Sequence, residues 1–250
     1  MHPLANLRVV LVSTRNSLNL GAVARAMSNF GASHLRVVTP YEPSFRQAVS
    51  AVGAGHVMQS AEEFPSVAAA IADCSLAIGT TAIGHRELLH PLRSLPEAAP
   101  LIRGELASSR VALLFGSEKF GLSKEALSHC HWLLHIPARE EHRSMNLGQA
   151  AAVCLYELSL QGRELPAVTE TPASSEPLVP HATLESIDRL TGSLLDALRV
   201  SGYVAPRSDA TAEEKLRRMI RRFRLQAPDA EVLLGMLKKI LHKLQHPGSN

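Results

Sequence analysis

The sequence predicts an α/β fold in which a parallel sheet is covered by helices on both faces. Short β-branched runs alternate with stretches of helical periodicity along the first 160 residues, which is the pattern of a parallel sheet. The predicted strands are LRVVLVS (7–13), LRVVTP (35–40), SLAIGTTA (75–82), VALLFGS (111–117) and WLLHIP (132–137). Predicted helices lie near 21–31, 44–51 and 61–73, in the proline-bearing loop after residue 91, at KEALSHC, and within RSMNLGQAAAVCLYEL (143–158).

Composition indicates a soluble globular chain. Hydrophobic residues make up 46% of the 250 residues and charged residues 20%, which argues against global disorder. No run approaches the roughly 18 apolar residues of a membrane helix, and the N-terminus does not resemble a signal peptide. We therefore expect no membrane contact and a cytoplasmic location.

Cysteine and histidine usage predicts no metal site. Cys74, Cys130 and Cys154 are isolated from one another, so the sequence supports neither a disulfide framework nor a CxxC metal or redox motif. His129, Cys130, His131 and His135 form a cluster whose spacing fits no standard zinc pattern.

Residues 161–182 divide the chain. They hold four prolines and little apolar periodicity, which is typical of an extended linker. A larger domain (1–160), long enough to hold a catalytic site, therefore precedes a small helical module (183–250). Residues 1–180 carry 14 Lys/Arg and 15 Asp/Glu, whereas residues 181–250 carry 12 and 8, so the basic module is expected to meet a polyanion.

Glycine-bearing turns follow several predicted strands: NLGAVAR (19–25), GTT (79–81), FGSEKFGLS (115–123) and SMNLG (144–148). In open α/β sheets, ligands bind beyond the carboxyl ends of strands, so these turns are expected to converge on one pocket. None matches GxGxxG or GxxxxGK[ST], which disfavours a nucleotide-cofactor oxidoreductase or an NTPase. The alternative for each turn is a purely structural role, with Asn19 or Ser144 as a helix cap and Glu118 as a surface residue.

Arginines supply two candidate anion sites. Arg25 lies about one turn into a helix among small residues, where an arginine is expected to meet an anion or a carboxylate. In the RRMIRRFR run (217–224), only Glu213 and Glu214 lie nearby to balance the charge. This excess favours contacts to backbone phosphates over a merely solvated face; the arginines concerned are Arg217, Arg218, Arg221 and Arg222.

Taken in order, the turns resemble the three motifs of the SPOUT RNA methyltransferases of the TrmH type. The first corresponds to NLGAVAR, the second to LLFGSEKFGLS, and the third to IPA followed by SMNLGQAAAV. The KLRRMIRRFR helix followed by LLGMLKKI is similar to the C-terminal extension of the TrmJ-type tRNA 2′-O-methyltransferases, so the likeness covers nearly the whole chain. Two positions depart from the pattern: Arg143 replaces a serine, and Ser117 replaces a frequent arginine.

The resemblance implies a SPOUT fold with a C-terminal trefoil knot, extended by a small all-α module. It also implies a homodimer whose active site lies near the subunit interface. S-adenosylmethionine is the implied cofactor and tRNA the implied partner. The implied reaction is methylation of the ribose 2′-hydroxyl of nucleotide 32, a cytidine or uridine in the anticodon loop.

The resemblance also assigns roles to residues. Catalysis falls on Arg25, Ser144 and Asn146, and cofactor contacts fall on Thr80, Thr81, Ala82, Gly116, Ile136, Ser144 and Met145. RNA contacts are expected at Arg25, Arg86, Arg143, Arg217, Arg218, Arg221 and Arg222, and no metal is expected. Two alternatives remain: 2′-O-methylation at another tRNA position or in rRNA, and a SPOUT protein that binds RNA without catalysis.

Overall fold

A fully parallel sheet forms the centre of the fold. The computed structural model describes residues 2–39, 53–82, 89–139, 141, 144–160, 179–204 and 209–246. Within these ranges seven strands pair in the order β3-β2-β1-β6-β4-β7-β5. They are β1 (Leu7–Val12), β2 (His34–Val38), β3 (Glu62–Phe64), β4 (Leu76–Thr80), β5 (Leu92–Ser94), β6 (Val111–Phe115) and β7 (Trp132–His135). The predicted class is confirmed.

Helices connect and cover the strands. Those of the body are α1 (Ser17–Phe30), α2 (Gly55–Gln59), α3 (Val67–Ile71), α4 (Leu95–Leu106), α5 (Lys124–Ser128) and α6 (Leu147–Ser159). Helices α1, α2, α4 and α6 contribute to one buried apolar cluster, and α3 and α5 contribute to a second. Strand residues alternate between the two clusters, as period-two side chains in a sheet covered on both faces must.

The described part of the chain contains two short strands that the sequence pattern did not predict. Strand β3 occupies the start of the region predicted to be helical near 61–73, because Glu62 and Phe64 pair with β2. The helix begins only at Val67, where the Ser66 hydroxyl accepts a hydrogen bond from the Ala69 amide. Strand β5 pairs with β7 immediately before α4. The helix predicted near 44–51 lies outside the described residues.

The C-terminal module consists of α7 (Leu184–Val200), α8 (Asp209–Arg222) and α9 (Ala227–Gln245). Its apolar centre includes Ile187, Leu190 and Ile220. Residues just before α7 pair with those just before α9, since the Ala182 amide donates to the Leu225 carbonyl (2.9 Å). The segment that leads into α7 is therefore hydrogen-bonded to the segment that leads into α9.

The module is docked on the body. The Leu184 and Glu185 amides donate to the Cys74 and Ala72 carbonyls (2.8 and 3.0 Å), and Leu184 joins the second apolar cluster of the body. Most of the predicted linker, residues 161–178, lies outside the described residues, and the division into domains stays a prediction, as does the knot. No helix within the described ranges is long and apolar enough to cross a membrane.

Candidate functional site

A cavity of about 400 Å³ lies at the carboxyl ends of three neighbouring strands, β6, β4 and β7. Its walls come from the segments that follow those strands and from the start of α6: Thr80 to Ala82, Phe115 to Leu122, Leu134 to Ala138, and Ser144 to Ala150. Parallel strands end at the same edge of a sheet, so loops distant in sequence meet here. The predicted convergence of the glycine-bearing turns is observed for three of the four.

Gly116 permits the tight loop after β6. A β-carbon at this position would lie 2.0 Å from the Gly121 carbonyl carbon and 2.2 Å from the Leu122 nitrogen. The Gly121 amide donates to the Ser117 carbonyl (2.8 Å), and Gly121 itself adopts a positive φ of 66°. Because backbone packs directly against backbone, residue 116 must be glycine for the loop to form one wall of the cavity.

A hydrogen-bonded chain joins all three motifs beside this loop. The Asn19 side-chain amide in α1 donates to Glu118 Oε1 (3.0 Å), and the Asn146 amide donates to Asn19 Oδ1 (2.9 Å). Asn146 Oδ1 in turn accepts from the Gly148 amide (2.9 Å) and caps α6. Asn19 is only 8% exposed, so its side chain needs these partners. Asn19 is therefore not the cap of α1, a position that Asn16 occupies.

The predicted cofactor residues come together. Every one of them lines the cavity: Thr80, Thr81, Ala82, Gly116, Ile136, Ser144 and Met145. The Thr80 hydroxyl donates to the Leu114 carbonyl (2.9 Å) and the Thr81 amide to the Leu134 carbonyl (2.9 Å), which fixes this wall. Their binding of a cofactor stays a prediction.

The predicted catalytic residues are not all at the cavity. Ser144 lines it, and Asn146 lies at its edge as the cap of α6. Arg25 instead lies on the exposed side of α1 and is not among the residues that line the cavity of its own chain. Arg86 and Arg143 lie outside the described residues.

Several lining residues were not singled out from the sequence. Leu134, within β7, and Ala138, the last residue of the IPA in the third motif, give the cavity an apolar wall. Phe120 is 67% exposed at the mouth, with the Lys119 ammonium 5.1 Å from its ring centre. The Lys119–Phe120 pair in this glycine-rich loop is a sequence pattern from which a ligand contact can be predicted.

One arginine of the 217–224 run that was predicted to contact phosphate is buried instead. Arg221 is 1% exposed and donates to Asp188 Oδ1 (2.7 Å), so it faces the module interior and is not available to a phosphate. Arg217 pairs with Glu213 and donates to the Ser128 hydroxyl of the body (2.8 Å). Arg224 pairs with Glu105 (2.8 Å). One face of α8 thus docks the module.

The opposite face of α8 is the one turned outward. Arg222 is exposed, as is Lys215 one heptad earlier. Arg218 lies between them, with its side chain 14% exposed and 3.7 Å from Glu214. Arg222 and Lys215 are therefore the basic residues of α8 best placed to meet a polyanion.

No group of three His, Cys, Asp or Glu side chains within the described ranges is arranged to hold a metal ion. Burial raises the pKa of Cys74, Cys130 and Cys154 to about 12, which keeps each thiol protonated and unreactive. The cysteines are structural.

Comparisons with known proteins agree on one relationship. The profile of the SpoU rRNA methylase family matches residues 6–156. A tRNA (cytidine/uridine-2′-O-)-methyltransferase TrmJ from Cronobacter sakazakii is 34% identical over 238 residues, which cover 95% of this chain and 96% of the relative. The protein of the same name from Klebsiella pneumoniae is 34% identical over 243 residues, with 95% and 97% covered.

Solved structures extend the similarity to three dimensions. The crystal structure of TrmJ from Z. mobilis ZM4 matches with a TM-score of 0.81 and 30% identity, covering 94% of this chain and 99% of that one. A probable methylase family protein from Haemophilus influenzae matches with a TM-score of 0.58 and 28% identity over 97% and 98% of the two chains.

Proposed function

The chain belongs to the SpoU rRNA methylase family, and from that premise we propose that it uses S-adenosylmethionine to methylate the ribose 2′-hydroxyl of tRNA nucleotide 32. The observation that carries the proposal is the cavity at the carboxyl ends of β6, β4 and β7, because its walls are built from the residues of the second and third motifs. The relatives that cover nearly the full chain, including its helical module, carry a tRNA 2′-O-methyltransferase name.

The cavity fits the proposed cofactor in size and in chemistry. A volume of about 400 Å³ lies within the range of small-molecule sites. Leu134, Ile136 and Met145 offer apolar surface for an adenine ring, while backbone groups near Thr81 and Gly116 suit the polar edge and the ribose. Bound S-adenosylmethionine supplies a methyl group already activated on a sulfonium, so no metal is needed.

Arg25 is the proposed stabiliser of the attacking oxygen. A guanidinium keeps its proton at neutral pH, so it acts by orienting the nucleotide and by stabilising developing alkoxide charge, not by removing a proton. Because Arg25 lies outside the cavity of its own chain, we place it at the cavity of a partner subunit. Exposed apolar residues on the same layer, Leu18 on α1 (64%) and Tyr156 on α6 (51%), support a subunit interface there.

Ser144 and Asn146 take different roles in this proposal. Ser144 lines the cavity and carries a hydroxyl that is able to orient the ribose. Asn146 uses its amide nitrogen for Asn19 and its oxygen for the α6 amides, so it acts as a positioning residue. Glu118 holds the second motif in place through Asn19.

The deciding experiment measures transfer of labelled methyl from S-adenosylmethionine to unmodified tRNA transcripts. Parallel transcripts carry a 2′-deoxy or a 2′-O-methyl group at nucleotide 32, which removes the acceptor and leaves the rest of the RNA intact. We expect incorporation into the unmodified transcripts and none into the substituted ones.

Other results would change the proposed substrate or overturn the proposed activity. Incorporation into every transcript would keep the chemistry and transfer the target to another nucleotide, and incorporation only into rRNA would identify a different substrate. Cofactor binding without transfer to any RNA would favour a protein that binds RNA without catalysis.

A further inference from the structure

Phe120 is an aromatic side chain at the mouth of the cavity of about 400 Å³. It is one of the residues that line the cavity, yet 67% of its surface is exposed. One exposed apolar side chain is ordinary for a soluble protein, so the position of the ring decides what it signifies. Phe120 lies where an RNA strand has to approach if a ribose is to enter the cavity.

The loop after β6 holds the Phe120 backbone in a defined place. The Phe120 amide donates to the Ser117 hydroxyl (3.3 Å), and the Gly121 amide donates to the Ser117 carbonyl (2.8 Å). Gly121 has a positive φ of 66°, and Gly116 packs directly against the Gly121 backbone. Because the loop is ordered in advance, little backbone freedom is lost when a ligand binds to the ring, and that loss would otherwise weaken the affinity.

Lys119 adds a cation to the same rim of the cavity. It is an exposed residue, and its ammonium lies 5.1 Å from the centre of the Phe120 ring. Proteins that bind single-stranded RNA combine aromatic rings, on which bases stack, with cations that contact the backbone phosphates. The two neighbouring residues offer one group of each kind, so the rim has the chemistry of a nucleotide contact.

We propose, on the basis of the function proposed above, that Phe120 stacks on the base of the nucleotide whose ribose is methylated, and that Lys119 contacts a phosphate of the same strand. The ribose has to enter the cavity for its hydroxyl to reach the methyl group. The base attached to that ribose then lies at the rim. Stacking requires only the flat face of a base, so this contact holds cytosine and uracil alike.

The exposure of the ring favours RNA over the cofactor as its ligand. Small-molecule sites bury most of their ligand between apolar walls. Leu134, which is buried, and Ile136 supply such a wall elsewhere in the cavity. A ring that is 67% exposed makes a poor wall for adenine, but it is accessible to a base that arrives from outside.

An abasic substitution separates stacking from every other role of Phe120. Single-turnover methyl transfer by the full-length chain is measured on the unmodified transcript and on one that lacks only the base of the acceptor nucleotide and keeps its 2′-hydroxyl. With subsaturating protein, Phe120→Leu is expected to lower the rate on the unmodified transcript by roughly tenfold, the effect of losing one base stack. On the abasic transcript, Phe120→Leu and the unsubstituted chain should react equally fast. Phe120→Tyr keeps the aromatic face and should retain the rate on both.

Two further variants serve as comparisons. Phe223→Leu makes the same substitution at an exposed phenylalanine of the helical module, so any effect it has should be equal on the two transcripts. Lys119→Gln should weaken binding of both transcripts and reduce the salt dependence of binding by about one unit of slope.

Three results would overturn the base contact. The first is an equal loss of rate for Phe120→Leu on the two transcripts. The second is an unchanged rate on the unmodified transcript. The third is a loss of S-adenosylmethionine affinity, measured by titration without RNA, that accounts for the whole change in rate, because it would assign the ring to the cofactor. The proposed function fails separately, if the unsubstituted chain transfers no methyl group to any transcript.

Discussion

The Asn146 side chain donates a hydrogen bond to the Asn19 side chain across 127 positions of sequence, at 2.9 Å, and thereby joins the start of α6 to the start of α1. Asn146→Ala removes this bond together with the cap of α6. A lost N-cap costs about 1 kcal/mol, and the buried Asn19 oxygen loses its donor as well. We expect a lower melting temperature and weaker cofactor binding, measured by calorimetry.

Gln149→Ala is the matched control for this change. Gln149 is exposed in the first turn of the same helix, and its side chain has no part in the chain of hydrogen bonds between the motifs. An Asn146→Ala variant as stable as Gln149→Ala would show that the link between the motifs is dispensable.

Gly116→Ala tests the tight loop. The added β-carbon would collide with backbone at Gly121, so the whole segment from 116 to 122 has to move. We expect the affinity for S-adenosylmethionine to fall at least about tenfold, equivalent to about 1.4 kcal/mol, as measured by titration calorimetry. Gly104→Ala in α4 meets nothing within 4 Å and should be neutral or slightly stabilising. Equal affinities for the two variants would contradict the steric argument.

Arg25→Ala separates chemistry from binding. Arg25 is exposed and lies outside the cavity of its own chain, so the fold and the cofactor affinity should be retained. Removal of a charge-stabilising donor lowers the rate by roughly 100-fold, so single-turnover methyl transfer should fall by this factor. Arg25→Lys keeps the charge but not the planar fork, and is expected to recover only part of the rate. Full turnover by Arg25→Ala would exclude the assignment.

Asp188→Ala tests how the helical module is held together. The buried Arg221 guanidinium would lose its carboxylate, and removal of one partner of a buried pair costs about 3 kcal/mol. We expect the module to unfold first, with protease cleavage within residues 183–246 at lower denaturant than in the unsubstituted chain. The control is Asp196→Ala, which breaks an exposed pair with Arg199 on the same helix and should cost under about 1 kcal/mol. A double Asp188→Leu, Arg221→Met variant should be less destabilised than Asp188→Ala.

Acidic pH is expected to destabilise the fold through His131. Burial is the main cause that holds the pKa of His131 well below its usual range, and Arg221 adds to it. The unfolded chain therefore takes up a proton near pH 6.5 that the folded chain does not, and stability present above that pH is lost as the pH falls. His90 acts in the same direction, since burial, with Arg218 and Arg222 nearby, lowers its pKa to about 4.

Urea titrations at pH 7.5, 6 and 5 check this dependence. Each histidine that stays neutral only in the folded state contributes a slope of at most about 1.4 kcal/mol per pH unit. His131→Gln should be less stable at pH 7.5 and should lose less stability toward pH 5. An unchanged slope in that variant would show that His131 does not contribute.

The arginine run shows where sequence reasoning reaches its limit. Helical spacing places Arg217 and Arg221 on one face of α8, and Arg224, just beyond the end of that helix, is also paired within the protein. It did not identify that face as the inner one, because two of the neutralising carboxylates, Asp188 and Glu105, lie 33 and 119 positions away. Charge counted along the chain is therefore a poor guide to charge at a surface once helices pack.

The cavity was easier to predict than the docking of the module. Strands with strong β-branched runs and glycines at their carboxyl ends fix both the sheet and the edge at which a ligand collects. The two edge strands, β3 and β5, were not predicted, since a strand of three residues is too short to show a sequence pattern. The position of Arg25 outside its own cavity depends on packing of α1 that periodicity alone does not specify.

The strand order also has a consequence for how the chain acquires its structure during synthesis. Strand β1 pairs with β2 on one side, but on the other side Leu7 pairs with Val111, far later in the sequence. The centre of the sheet therefore stays incomplete until nearly half of the polypeptide has left the ribosome, and such long-range parallel pairing is slow. During that interval the nascent segment that carries β1 and β2 exposes the apolar strand edge that β6 later covers.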